Sequence, residues 1–273
     1  MQAAEHATAA APERMTYSKY LHLDEILRWQ RPLTDTHDEL LFVVIHQTSE
    51  LWLKLTLHEL DAARRRIAAD DVRSALKMLA RVIAIQGQLI QSWNVLATMT
   101  PSDYMRFRAA LGTSSGFQSW QYRLLEFMLG NKNAGHLQWH VDNPEVHARL
   151  RAELQTPSLY DETLRLLHRR SFPIPQSHLQ RDLSQPYRAC AQVEAAWEQV
   201  YRNTDRYWDL YELAEKLVDL EDGVQQWRYG HLRTVERIIG FKKGTGGTPG
   251  VPYLARALEQ RFFHELISVR TVL

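Results

Sequence analysis

Residues 41–55 read "LFVVIHQTSELWLKL". Apolar side chains recur here at helical spacing, and positions i, i+4, i+7 and i+11 share one helix face. Phe42, His46, Ser49 and Leu53 therefore line one stripe, with an imidazole where a leucine would pack at no polar cost. The pattern extends both ways. Asp35 sits where a cap belongs and the period continues to about Ala69, which predicts one long helix. Leu40–Ile45 is the longest uninterrupted apolar run, far short of the ~20 residues that cross a bilayer.

Outward from this segment the helical period persists, and convincing strand-like alternation is absent. A short first helix is expected over 18–30, ending near Pro32. Asp70 and Asp71 cap a second long helix over 71–98, and Pro101 and Ser102 open the next. A helix over 117–129 stops at Gly130 and Asn131. Medium helices fit 143–154 and 157–169, and the proline-broken "SFPIPQSHL" is a loop. Residues 186–239 read as one very long helix or two in tandem, and a last helix covers 252–268. Four long helices with shorter ones inserted define an all-α fold, an elongated bundle whose interior can hold a cofactor. Residues 1–14 are expected to be a mobile tail and 15–273 a single domain, with Asn131–Arg181 an insertion in it.

The 273 residues suffice for a sizeable core. Lys plus Arg is 33 and Asp plus Glu is 32, so no charge excess points to nucleic acid or an anionic membrane. Cys190 is the only cysteine. That excludes an intrachain disulfide and a cysteine zinc site, and it fits a reducing cytoplasm. The N-terminus lacks the apolar core of a signal peptide.

A second histidine stripe occurs in "WRYGHLRTVERII", 227–239. Trp227, His231, Thr234 or Val235, and Ile238 share a face, and Gly230 removes bulk beside the ring. Each imidazole needs a partner if buried. A neighbouring hydrogen bond would suffice. A flat ligand between two long helices, such as a haem held by one axial histidine, is the other reading. Glu-x-x-His, a second zincin histidine after "HELDA" or "HELIS", and Cys-x-x-Cys-His are all missing, so di-iron, zincin and covalent haem sites do poorly.

Three further segments carry candidate chemistry. "SDYMRFR" sets Tyr104 and Arg108 one turn apart, a hydroxyl and a planar fork suited to a carboxylate, or simply a solvated pair. "GTSSGFQSWQY" opens a helix whose free N–H groups suit an anion, or is an ordinary capped turn. "GFKKGTGGTPG" follows a helix and lacks Gly-Lys-Ser/Thr, so it is a linker or a lid rather than a phosphate loop, with Thr245 and Thr248 as polar handles.

Taken together, "YSKYLHLDEIL", "DELLFVVIHQTSELWLKLTLHEL", "SWNVLATMTPSDYMRFRAALGTSSGFQSWQYRLLE" and "QWRYGHLRTVERIIGFKKGTGGTPGVPYL" resemble the tryptophan 2,3-dioxygenase family in its compact bacterial form. The resemblance implies an all-α homotetramer with one non-covalent haem b per subunit, active as Fe(II). It implies insertion of both atoms of O2 into the C2–C3 bond of the indole of L-tryptophan, giving N-formyl-L-kynurenine. By the same resemblance His231 matches the proximal iron ligand, and His46 the distal, catalytic histidine beside the indole N–H. Arg108 matches the substrate carboxylate clamp, assisted by Tyr104, and Thr245 a contact to the carboxylate and ammonium. Phe42 and Leu111 match substrate-pocket positions, and Trp93, Ser115 and Gly116 haem-lining ones. Tyr17, Tyr20 and Leu21 match a segment that reaches a neighbouring subunit's pocket.

Overall fold

The computed structural model describes residues 14–247 and 249–273. The tail expected over 1–14 thus lies, but for Arg14, outside the described residues, as does Thr248. The first described helices are α1 (Tyr17–Leu21) and α2 (Leu23–Ile26). Where one helix over 18–30 is expected, His22 breaks the chain with a left-handed φ of 53°. The Gln47 side chain anchors the turn after α2: it donates to the Trp29 carbonyl (2.9 Å) and accepts from Gln30 Nε2 (2.5 Å).

α3 (His37–Ala68) is the long helix of the opening stretch. Its N-cap is Thr36, not Asp35, and that side chain makes no capping bond. The buried carboxylate of Glu39 instead ties down the loop before the helix, accepting from the backbone of Leu33 (2.6 Å) and Thr34 (2.8 Å) and the Thr34 hydroxyl (2.5 Å). Asp38 and Glu39 in the first turn and Arg65 and Arg66 in the last both suit the helix dipole. α4 (Val72–Leu96) begins at Asp71, whose carboxylate caps Ser74 N (3.2 Å). α5 (Pro101–Phe107) opens on a Thr100–Asp103 capping box. A 3-10 turn, Arg108–Leu111, continues from its end.

After the 3-10 turn Gly116–Gln118, α6 (Trp120–Leu129) ends at Gly130, whose φ of 108° a side chain would strain. α7 (Pro144–Gln155), α8 (Leu159–Arg169) and α9 (Gln176–Leu179) come next. The 131–181 segment is more than a peripheral insertion: α8 packs on α3, α7 packs on α6, and Leu150, Leu154, Leu164 and Leu167 enter the main core. Residues 186–239 resolve into α10 (Ala191–Arg202) and α11 (Trp208–Ile239).

The last expected helix is two, α12 (Val251–Ala257) and α13 (His264–Ser268). Side chains of α11 take the backbone groups between them. Arg228 donates to the Ala257 carbonyl (3.0 Å) and Gln225 to that of Gln260 (2.6 Å), while Phe262 N and Phe263 N donate to Glu221 (3.1 and 2.9 Å).

No strand occurs among the described residues, so the all-α expectation stands. Three helices are long, α3, α4 and α11 at 32, 25 and 32 residues, where periodicity suggests four. Shorter helices do the rest of the packing because Gly130 and the 203–207 turns interrupt the apolar period. α4 lies against both α3 and α11, and the main core runs along these contacts through Leu57, Leu60, Leu79, Val82, Leu213 and Leu217. A smaller cluster of Leu96, Met99, Tyr104, Phe107 and Ile238 closes one end. Among the described residues no helix is long and apolar enough to cross a membrane.

Candidate active site

Between α3 and α11 lies a cavity of about 520 Å³, within the ~300–1,000 Å³ typical of ligand pockets. α3 supplies Phe42, Ile45, His46, Ser49, Glu50 and Leu53, the stripe of the opening stretch. α11 supplies Trp227, His231, Thr234, Val235 and Ile238, α4 supplies Trp93, and Tyr104 comes from α5. Ser115 and Gly116 line it from the turn before α6, and Gly244 and Thr245 from the glycine-rich loop.

The two histidines differ. His46 Nδ1 donates to the Phe42 carbonyl one turn back (2.7 Å). That bond fixes the tautomer and leaves Nε2 with a lone pair. Burial lowers the pKa of His46, against the Phe42 bond and Glu50, which raise it. His231 has no hydrogen bond to its ring among the described residues. Burial, with a smaller contribution from the His46 charge, pushes its pKa down to about 4. Both rings are neutral near pH 7. The His231 ring is stacked on Trp93, with centroids 4.8 Å apart and planes 6° from parallel. Gly230 makes that possible: a Cβ there would lie 2.7 Å from Trp93 Cδ1.

A polar cluster bounds the cavity at α6. Arg123, Glu126 and Arg228 are 4%, 4% and 3% exposed. Arg123 Nη1 and Arg228 Nη2 donate to the two oxygens of Glu126 (2.5 and 3.0 Å), and Arg228 Nε to the Tyr122 hydroxyl (3.0 Å). His136 also lines this end, and burial together with Arg123 pushes its pKa to about 4. None of these residues stands out in a scan for motifs. The available signal is a charged pair at i and i+3 inside the apolar helix "WQYRLLEFML".

The glycine-rich loop lies over the cavity rim. Thr245 Oγ1 donates to the Ser114 carbonyl (2.5 Å), and Arg108 Nη2 to the Lys243 carbonyl (2.7 Å). Gly250 has φ +70°, and a Cβ there would sit 2.8 Å from the Lys242 carbonyl oxygen. Backbone conformation and space both demand glycine at that position.

Of the residues marked from sequence, Phe42, His46, Trp93, Tyr104, Ser115, Gly116, His231 and Thr245 meet on the one cavity. Arg108 and Leu111 do not line it. Arg108 lies behind Tyr104, with its Nε buried and unpaired, and Leu111 packs on the small cluster beside Phe42. Tyr17 and Tyr20 are 76% and 71% exposed and Leu21 is half-buried, all away from the cavity of their own chain.

Fold and site together define an all-α enzyme whose active cavity is built inside a helix bundle. The family model described as tryptophan 2,3-dioxygenase matches residues 1–155 and 142–273. A tryptophan 2,3-dioxygenase of Erythrobacter litoralis is 59% identical over 259 residues, covering 95% of this chain and 98% of the relative. Those of Bacillus cereus and Polaromonas sp. are 57% and 53% identical, covering 96% and 98% of this chain and 94% and 96% of the relatives. The chain belongs to the tryptophan 2,3-dioxygenase family, whose members depend on haem.

Proposed function

We propose that this chain inserts both atoms of O2 into the C2–C3 bond of the indole of L-tryptophan, giving N-formyl-L-kynurenine, the first step of the kynurenine pathway. The observation that carries the reading is the pair of neutral, half-buried imidazoles on one cavity, one tied to backbone and one without a hydrogen bond among the described residues.

The residues fit a haem. His231 offers an uncharged ring nitrogen with no competing bond, which is what an axial iron ligand requires. Trp93 and Gly230 provide a flat, close-packed wall, and Ser115 and Gly116 lie on the cofactor side. His231 would hold one haem b per subunit, non-covalently. Bound there as Fe(II), the haem supplies the activation of O2 that no side chain can provide.

Positioning and water exclusion fall to the chain itself. His46 Nε2 accepts the indole N–H, because Nδ1 is already committed to Phe42. The neutral imidazole thus orients the substrate, and its catalytic role is placement. Phe42 gives the indole an apolar wall, while Leu111 packs on the small cluster rather than on the cavity. Arg108 is the clamp for the substrate carboxylate, and its unpaired Nε and the adjoining Tyr104 hydroxyl support this. Thr245 brings the glycine-rich loop to the polar end of the amino acid, exchanging its Ser114 bond for a substrate contact. In a homotetramer of 15–273 domains, Tyr17, Tyr20 and Leu21 reach a neighbouring subunit's pocket, consistent with the exposure of both tyrosines. The cytoplasm is the compartment we assign.

The test is product analysis. Full-length, reduced chain with L-tryptophan under ¹⁸O2 should show a Soret band and yield N-formylkynurenine with both new oxygens labelled. A single label, or no Soret band after haem addition, overturns the proposal.

A further inference from the structure

Two side chains of α4 seat in two notches of α11. A Cβ on Gly223 would lie 2.8 Å from Gln86 Cδ, and one on Gly230 would lie 2.7 Å from Trp93 Cδ1. Gln86 and Trp93 are seven residues apart, and so are Gly223 and Gly230. The two helices therefore run parallel here, and both contacts belong to one register. The seam between them has coiled-coil spacing, alternating three and four. It passes through Val82, Gln86, Leu89 and Trp93 on α4 and Leu220, Val224, Trp227 and His231 on α11.

Gln86 is the polar exception. It is 6% exposed and the one polar residue among those buried on α4. Its Nε2 donates to the Leu220 carbonyl of α11 (3.0 Å), while its Oε1 is buried with no partner. A side chain at 223 would take the space through which the amide reaches that carbonyl, so the glycine and the glutamine are complementary. An unpaired buried acceptor is a cost that a methionine of the same length would avoid. What the amide supplies instead is direction. The Trp93–Gly230 contact is apolar and can slide, whereas a hydrogen bond fixes position along the axis. A single polar residue in an apolar seam sets register at a cost in stability.

Gln86 lies off the cavity lining, so it acts on the site through register. One residue of slip is ~1.5 Å along a helix axis. That would carry the Trp93 indole off Gly230 and the His231 ring out of the stack in which their planes are 6° from parallel. We infer that Gln86 is a positioning residue for the cavity: its bond to Leu220, in the notch left by Gly223, holds α11 in register with α4 and so presents His231 in its stacked pose. The register is independent of the haem reading above; only its consequence for cofactor binding rests on that reading.

The experiment compares wild type, Gln86→Met and Gly223→Ala as full-length chains purified without cofactor. Histidine labelled with ¹³C at Cε1 reports the stack by NMR, because the Trp93 ring current shields a ring stacked on it, and His231→Ala identifies the signal. Gln86→Met removes both the directional bond and the unpaired oxygen. It should melt at or above the wild-type temperature while the His231 signal moves downfield. Binding of ferrous haem, read by the Soret band, should weaken by about threefold or more. Gly223→Ala pushes the amide from its notch and should move the same signal, and it decides alone if Gln86→Met does not fold. A His231 signal unmoved in folded Gln86→Met protein overturns the inference, and a lower melting temperature with that signal in place marks Gln86 as an ordinary core residue. If the signal moves while haem affinity holds, the register claim stands and His231 falls as the iron ligand. If wild type shows no Soret band, the haem reading falls, and the NMR shift still decides the register.

Discussion

Gly230→Ala isolates the packing between α11 and Trp93. The new methyl would sit 2.7 Å from Trp93 Cδ1 and 3.3 Å from Cγ, where carbons settle at ~3.5–4.0 Å. Trp93 cannot yield freely, since it is stacked on His231 and faces Trp227 at 5.4 Å. Overpacking of this kind costs about 1–3 kcal/mol. Removing a glycine from a helix interior returns about 1 kcal/mol, so the net loss is roughly 0–2 kcal/mol. At about 2–4 °C per kcal/mol, Tm should fall by at most ~8 °C. Gly87→Ala is the control: it lies inside α4 with nothing within 4 Å of its Cβ, and it should gain about 0.5–1 kcal/mol. Thermal melts by circular dichroism and a haem titration read both terms. We expect Gly230→Ala to bind haem at least about tenfold more weakly, because a 1.4 kcal/mol misplacement of the His231–Trp93 pair suffices. An alanine protein that melts higher, as Gly87→Ala should, with an unaltered Soret band, would refute the tight-packing account.

The same geometry sets further expected outcomes. His231→Ala should abolish the ferrous-haem absorption bands, whereas His46→Ala should keep them and slow turnover without ending it. Total loss of turnover with normal tryptophan binding would show that His46 does more than orient. Arg108→Ala should raise KM for tryptophan far more than it weakens haem binding, since it removes the clamp and the Lys243 tie together; equal losses in both would argue against a clamp. Glu126→Ala strands two buried guanidiniums and should cost about 3–5 kcal/mol in urea denaturation. Asp161 sets an acid limit. Burial raises its pKa, but Arg181 (2.7 and 2.9 Å) and Ser158 more than reverse this and hold it below the usual carboxylate range. Its contribution is therefore full above the unfolded value of about 3.9 and lost as pH falls through the lower folded value. Asp161→Asn should flatten that limb of the stability–pH curve, and an unchanged limb would remove Asp161 as its source.

The long helices are legible because a single strong period runs through them: the stripe Phe42, His46, Ser49 and Leu53 forms one wall of the cavity as the spacing demands. The ends are less so. His22 turns left-handed without the glycine that would announce it, and Asp35 does not cap α3, whose Glu39 instead holds the preceding loop at Leu33 and Thr34. The break between α12 and α13 depends on Glu221, Gln225 and Arg228 reaching across from α11, which no local pattern records. The two histidines and the Tyr104–Arg108 spacing can be picked out in advance, whereas the Arg123–Glu126–Arg228 cluster cannot. Arg228 is 102 positions from Glu126 along the chain, so their meeting is a property of packing.

α4 contributes one side chain of chemical interest, Trp93, yet it stands between the helices that carry His46 and His231. The gauge of the slot between those rings is therefore set by aliphatic spacers such as Val82, Ile85 and Leu89, all buried. A methylene gained or lost at one of them is transmitted to both neighbours, because close-packed interiors pass on strain rather than absorb it. Natural variation in catalytic efficiency can thus arise from residues that never touch cofactor or substrate, and a search restricted to the cavity lining would overlook the dial that tunes it.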